Sequence, residues 1–207
     1  MKKETVIKAK RQFIADCTKN LIETAGIDSI NMEDIAKASE YTKRTLYVYF
    51  KSKDEILLWV FTDDLIQRWN YQKIRIQQKI KGIDKLKEWA YAYLDYCSEN
   101  SITIPLQNYM DYHFVNLEKV DNEVFSRFEE INTALAEGLR LIFNESLKNK
   151  ELRFKVNIDL TISQFLYSYR AILQRAFSSQ YSFTTIDKKE YVDYFIHSFI
   201  LGHFKKK

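Results

Sequence analysis

The chain has 207 residues, with 32 Lys and Arg, 28 Asp and Glu, and a formal net charge of +4. Four glycines and one proline are too few turn residues for a sandwich, a barrel or a doubly wound sheet, so the composition favours long helices with few turns. Two cysteines, Cys17 and Cys97, exclude a disulfide framework or a zinc site and read as reduced thiols of a cytoplasmic protein, and no apolar run is long enough to span a membrane or serve as a signal core.

In chain order, residues 6–25 read as a first helix, with Phe13, Ile14, Cys17, Leu21 and Ala25 on one apolar stripe. Gly26 stops it, because glycine takes the left-handed position after a helix without strain. Ile27 and Ile30 follow as plugs of a small core. Asn31 caps a short second helix, with Glu33 and Asp34 in its first turn and Ile35, Ala36 and Ser39 facing inward. Ser39-Glu40-Tyr41 is the break. Thr42 then caps a third helix that turns Lys43, Arg44, Thr45 and Tyr47 outward and Leu46 and Phe50 inward. A helix in a DNA major groove needs that division of donors outside and an anchor inside.

Ser52 and Glu55 form a capping box for a fourth helix, whose pattern runs unbroken to Lys81-Gly82. Ile56, Leu57, Val60, Phe61, Leu65, Ile66 and Trp69 cover much of its circumference, so it can be clasped by the N-terminal trio and by the rest of the chain. A fifth helix is expected over 84–98, and Pro105 marks a break before a short sixth segment. Asp121 caps a seventh helix to about Leu147, in which Gly138 costs about 1 kcal/mol against Ala and so admits a close neighbour or a ligand. An eighth helix follows over 157–178, and Asp187-x-x-Glu190 caps a ninth through Phe204. Lys205-Lys206-Lys207 reads as a solvated tail. The expected fold is all-α, with about nine helices: a three-helix helix-turn-helix module over 1–53 and a larger helical bundle over 54–207.

The charge is unevenly placed. Residues 1–53 hold 11 Lys and Arg against 7 Asp and Glu, whereas residues 54–207 hold 21 of each. A basic module on a neutral body is what phosphate binding needs.

Ile35, Ala36, Thr42, Lys43, Thr45, Leu46, Tyr47, Phe50 and Lys53 form a spaced pattern that resembles the DNA-binding region of the tetracycline-repressor (TetR/AcrR) family of bacterial transcriptional regulators. Residues 6–26 fit that family's first helix, and the remaining three-quarters of the chain matches in length and helical character. Lys43 and Arg44, opening the recognition helix, can donate to guanine O6/N7 or to phosphate. The resemblance implies phosphate or base contacts from Thr45, Tyr47 and Tyr49, a phosphate at Lys53, and Asn31 beside the DNA backbone. It also puts Glu33 where some members reach base edges; as Glu it accepts only from a cytosine or adenine amino group. Thr42 completes the DNA-binding set.

The chain departs from the family's turn, which usually carries Gly then Val where this sequence has Glu40 and Tyr41. A Glu at positive φ costs about 1 kcal/mol or more, so a turn built differently is expected. Tyr41 is expected as a core plug or an extra DNA contact, and Tyr49 replaces the commoner His.

The resemblance further implies a small-molecule inducer held among the fourth to eighth helices. Candidate lining residues are Trp59, Trp69, Trp89, Tyr93, Tyr96, Tyr109, Phe114 and Phe165, with Gln107 and His113 as polar partners, a set suited to a flat, apolar or cationic molecule. It implies a homodimer through the eighth and ninth helices, with Tyr169, Leu173, Phe195, Phe199 and Ile200 at the interface. Two recognition helices about 34–36 Å apart then face a pseudo-palindromic double-stranded operator.

An enzyme is disfavoured. Gly26, Gly82, Gly138 and Gly202 are too far apart for a phosphate loop, and His113, His197 and His203 lack metal-ligand partners at motif spacing, so no metal or cofactor is expected. The leading expectation is a cytoplasmic, ligand-responsive repressor. Its rival is a helix-turn-helix regulator or activator controlled by a protein partner.

Overall fold

The computed structural model describes residues 2–113, 121–153, 156–178 and 187–205. Among them run nine α-helices: α1 (Lys2–Ala25), α2 (Met32–Ala38), α3 (Lys43–Tyr49), α4 (Lys53–Gln77), α5 (Gly82–Glu99), α6 (Thr103–His113), α7 (Asn122–Lys148), α8 (Ile158–Phe177) and α9 (Lys188–His203). No strand occurs among the described residues beyond an isolated bridge between Leu152 and Phe204. The expected all-α class is the observed one.

Three local expectations need correction. The fourth helix stops at Gln77 rather than at Gly82, because Gln78 and Lys79 donate to Arg75 and Ile76, tightening the last turn and ending the α ladder. Pro105 lies in the first turn of α6 rather than before it; a first-turn residue needs no N–H donor, so proline is tolerated there. The buried stripe of α1 is Ile14, Thr18 and Ile22. Thr18 enters it because its hydroxyl donates to the Ile14 carbonyl at 2.8 Å. Phe13, assigned to that stripe from sequence, is 46% exposed and meets the edge of Tyr41 instead.

The chain falls into two compact units. The first comprises residues 1–66 and 100–131. Its core gathers Ile14, Ile22, Ile27, Ile30, Ile35, Leu46, Phe50, Ile56 and Leu57 around α1, α2, α3 and the start of α4. Lys53 Nζ donates to the carbonyls of Ile27 (3.3 Å) and Ile30 (2.9 Å), and the buried Glu55 carboxylate accepts from Lys51 N (2.7 Å) and Asp121 N (2.8 Å). Ser52 Oγ accepts from Glu55 N, so half of the expected capping box forms, while the Glu55 side chain reaches Lys51 rather than Ser52.

The second unit comprises residues 67–99 and 132–207. Trp89, Tyr93, Leu139, Phe143, Phe165, Tyr169, Leu173 and Val192 lie at its centre. Gly138 admits a close neighbour, as expected, and the neighbour is Trp69. A Cβ at position 138 would lie 2.1 Å from Trp69 Cη2. Of the Lys205 to Lys207 tail, Lys205 is exposed, while 206 and 207 lie outside the described residues.

Candidate functional site

The outward face of α2 and α3 carries the candidate DNA contacts. Asn31 caps α2 by accepting from Glu33 N (2.8 Å) and Asp34 N (3.3 Å), and Asp34 returns the bond to Asn31 N, closing a capping box. Thr42 caps α3 by accepting from Thr45 N at 3.1 Å, and the two threonine hydroxyls lie 2.9 Å apart. Leu46 and Phe50 are buried beneath the helix, while Lys43, Arg44, Tyr47 and Val48 are exposed above it. Thr45 and Tyr49 are half-buried.

The turn between α2 and α3 corrects the expectation for Glu40. That residue takes φ +56°, the conformation usually left to Gly. Tyr41 N donates to Ala36 O (2.9 Å) and Glu40 N to Lys37 O (3.2 Å), the paired closure that satisfies the last carbonyls of a helix. The turn is therefore built in the ordinary way, with about 1 kcal/mol of left-handed strain carried by a residue that has a Cβ. Tyr41 acts as a plug: it meets Phe13 at 6.0 Å, stacks on Tyr49 at 6.3 Å, and lies under Lys10. Its hydroxyl holds the Lys10 ammonium above its ordinary pKa.

Two expected contacts are already occupied within the chain. Lys53 directs its ammonium to Ile27 and Ile30, and lies 5.5 Å over the Tyr109 ring. Lys43 pairs with Glu33 at 2.6 Å, and that carboxylate raises the lysine's pKa. Both partners are exposed, so the pair adds little stability but sets phosphate in competition with Glu33 for the ammonium.

The residues expected to line a ligand pocket divide between the two units. Trp59, Gln107, Tyr109 and His113 belong to the first. There Trp59 is a core ring, donating to Gln12 and sandwiched near Phe50, Arg11 and Arg127. Gln107 donates to Asp111, and Tyr109 stacks on the exposed His113 and donates to Asp54. Phe114 lies outside the described residues. Trp69, Trp89, Tyr93, Tyr96 and Phe165 belong to the second unit. Of these, Trp89, Tyr93 and Phe165 form one cluster, with Trp89 meeting Tyr93 at 5.7 Å and Phe165 at 5.5 Å. Trp69 packs on Gly138, and Tyr96 faces Tyr71.

Tyr169 and Leu173, expected at a dimer interface, are fully buried within the chain. Tyr169 completes the aromatic cluster, 5.9 Å from Trp89 and 5.8 Å from Tyr93, and donates to Ala90 O at 2.5 Å; burial pushes its pKa well above the ordinary phenol value. Phe199 is buried on the same side through Phe165, whereas Phe195 and Ile200 are half-buried.

Residues 14–60 match the family model described as bacterial regulatory proteins, tetR family. The chain thus carries a DNA-binding region of the tetR-family kind over residues 14–60. An operon transcriptional activator of Lactococcus lactis, DhaS, is 25% identical over a match covering 56% of this chain and 72% of that one. The fold is shared with a FadR regulator of Bacillus subtilis solved with stearoyl-CoA, at TM-score 0.70 and 17% identity over 92% of this chain and 98% of that one. It is also shared with the ketosteroid regulator KstR2 of Mycobacterium tuberculosis, at TM-score 0.67 and 14% identity over 95% of each chain. The matched region is that of DNA-binding transcriptional regulators.

In the sequence Arg68 and Gln72 look like solvated polar residues of a long helix. Both are buried. The signal lies in the row Ile56, Val60, Asp64, Arg68 and Gln72, spaced four apart, which turns from apolar to polar while staying buried along α4. Among the described residues no helix is long and apolar enough to cross a membrane, and no His, Cys, Asp and Glu cluster could hold a metal.

Proposed function

We propose that this protein is a cytoplasmic, homodimeric repressor of the TetR family, released from a pseudo-palindromic operator by a small, largely apolar or aromatic molecule. Residues 1–53 bind DNA; residues 54–207 bind the ligand and the second protomer. The observation that carries the DNA reading is α3 itself, with Lys43, Arg44 and Tyr47 exposed over the buried anchors Leu46 and Phe50. Thr45 and Tyr49 flank them, and Asn31, Glu33 and Thr42 frame the same surface. Lys53 meets phosphate only by exchanging its two carbonyl partners.

Exposed Leu160 and Tyr167 on α8, with Tyr194 and Leu201 on α9, supply apolar surface for pairing beside Phe195 and Ile200. Two recognition helices one DNA turn apart, about 34–36 Å, then meet two half-sites. Ligand binding changes their separation, and a coupling of roughly 1–3 kcal/mol gives about 5–150-fold release. The test is an electrophoretic mobility shift on the gene's own upstream region, with and without a small aromatic library. Retardation lost in Tyr47→Ala and reversed by a library member supports the reading; no retardation at low salt sinks it.

A second reading follows from DhaS, which is named an activator. On that reading the chain activates transcription or answers to a protein partner, with no small-molecule inducer. Run-off transcription from the bound promoter separates the two, rising for an activator and falling for a repressor.

A further inference from the structure

The aromatic cluster of the second unit encloses a permanent positive charge. Arg68, on the part of α4 that belongs to this unit, is 2% exposed, and its guanidinium lies 3.9 Å over the Tyr93 ring. Stacking satisfies the face of the guanidinium and leaves its in-plane donors to find acceptors. Arg68 Nε and Nη1 have none. One helical turn later Gln72, fully buried, donates through Nε2 to Trp89 O at 2.8 Å, which fixes the amide's orientation and leaves Oε1 without a donor. Trp89 Nε1 is likewise buried without an acceptor. The surrounding rings of Trp89, Tyr93, Phe165 and Tyr169 carry no negative charge. Asp64, one turn before Arg68 on α4, takes the Thr103 hydroxyl at 2.8 Å.

Burying an arginine with two of its nitrogens unmet is costly, because the group cannot discharge itself by losing its proton. Buried, unpartnered donors on two residues that both meet the Tyr93 ring suit an anion attached to an apolar body. We propose that the ligand of this unit is an apolar or aromatic carboxylate, whose anionic group is held by Arg68 with help from Trp89 Nε1. Gln72 Oε1 accepts from a hydroxyl or N–H group beside it. This departs from the apolar or cationic ligand that the aromatic composition alone suggests, and it rests on the reading that the unit binds a small molecule.

The test uses the full chain and three matched sets of probes: decanoate, phenylacetate and naphthoate, the corresponding alcohols, and the corresponding amines. Tryptophan fluorescence and melting temperature report binding. The acids are expected to bind at least about tenfold more tightly than their alcohols and not to be matched by the amines. Arg68→Met is expected to remove most of that preference, lowering acid affinity much more than alcohol affinity. Arg68→Lys, which keeps the charge but loses the fork, falls between the two. Should Arg68→Met fail to fold, the wild-type acid, alcohol and amine series and Arg68→Lys still decide the matter. If alcohols or amines bind as well as acids, the anionic assignment is overturned while the sensor reading stands. The assignment is overturned in the same way if either Arg68 variant keeps the full acid preference. If no probe of any class binds, the sensor reading falls and the assignment with it.

Discussion

The guanidinium of Arg11 donates through Nε to the main-chain carbonyl of Tyr49 at 2.9 Å, so α1 holds the last turn of the recognition helix. Carbonyls at the end of a helix lack intrahelical partners, and Arg11 supplies one. The other arms reach Glu123 (2.6 Å) and Asp121 (3.4 Å) at the start of α7, while Phe50 and Trp59 lie against the guanidinium plane. One nearly buried arginine thus fixes where α3 sits within the first unit.

Arg11→Met should therefore cost roughly 2–3 kcal/mol, below the full penalty for a buried pair because Glu123 is more than half exposed. Urea denaturation measures it as a lower midpoint at unchanged slope, and DNA affinity should fall with it. An unchanged midpoint would show that α3 is held by its apolar anchors alone.

Glu40→Gly should stabilise the chain by about 0.5–1 kcal/mol, since relief of left-handed strain outweighs the extra freedom of glycine when unfolded. Thermal melting reads this as a rise of a few degrees. A fall would mean that the Glu40 side chain makes a stabilising interaction.

Gly138→Ala should destabilise by about 1–3 kcal/mol, because the added Cβ meets the far edge of the Trp69 ring and the ring must move within a packed unit. Near-ultraviolet circular dichroism should change with the melting temperature. An alanine variant as stable as the wild type would show that Trp69 swings aside freely.

The Tyr109 phenol is pushed up to about 12, first by burial and then by its hydrogen bond to Asp54. A folded pKa above the unfolded value of about 10 stabilises the fold fully below pH 10 and ceases to do so as pH rises through 12. Spectrophotometric titration of Tyr109→Phe should lose one late-ionising phenol relative to the wild type. A missing step near pH 10 instead would contradict the shift.

Much of the DNA-binding quarter is legible in the sequence because its signals are local. Asn31 and Thr42 cap helices through bonds to residues two or three positions away, and Leu46 and Phe50 face inward by helical period alone. The Glu40 turn is not, because a sequence shows the cost of a left-handed glutamate but not the two closing hydrogen bonds that hold it there. The second unit is less legible still, since aromatic residues suit a core, a pocket and an interface equally. Tyr169 looks like an interface residue and is a buried partner of Ala90. Arg68 looks solvated because nothing in its own type distinguishes a buried guanidinium from an exposed one. Only its place in a buried row of residues spaced four apart does so.

The central claim is that the exposed face of α3 binds DNA through phosphate neutralisation together with specific contacts. Fluorescence anisotropy with a duplex from the gene's upstream region, titrated across a salt series with wild type and Tyr47→Ala, tests it most directly. With about 8 phosphate contacts in a dimer, the logarithm of affinity should fall against that of salt with a slope near −7, and Tyr47→Ala should bind at least about tenfold more weakly at each salt. A flat salt response, with Tyr47→Ala indistinguishable from wild type, would contradict the account.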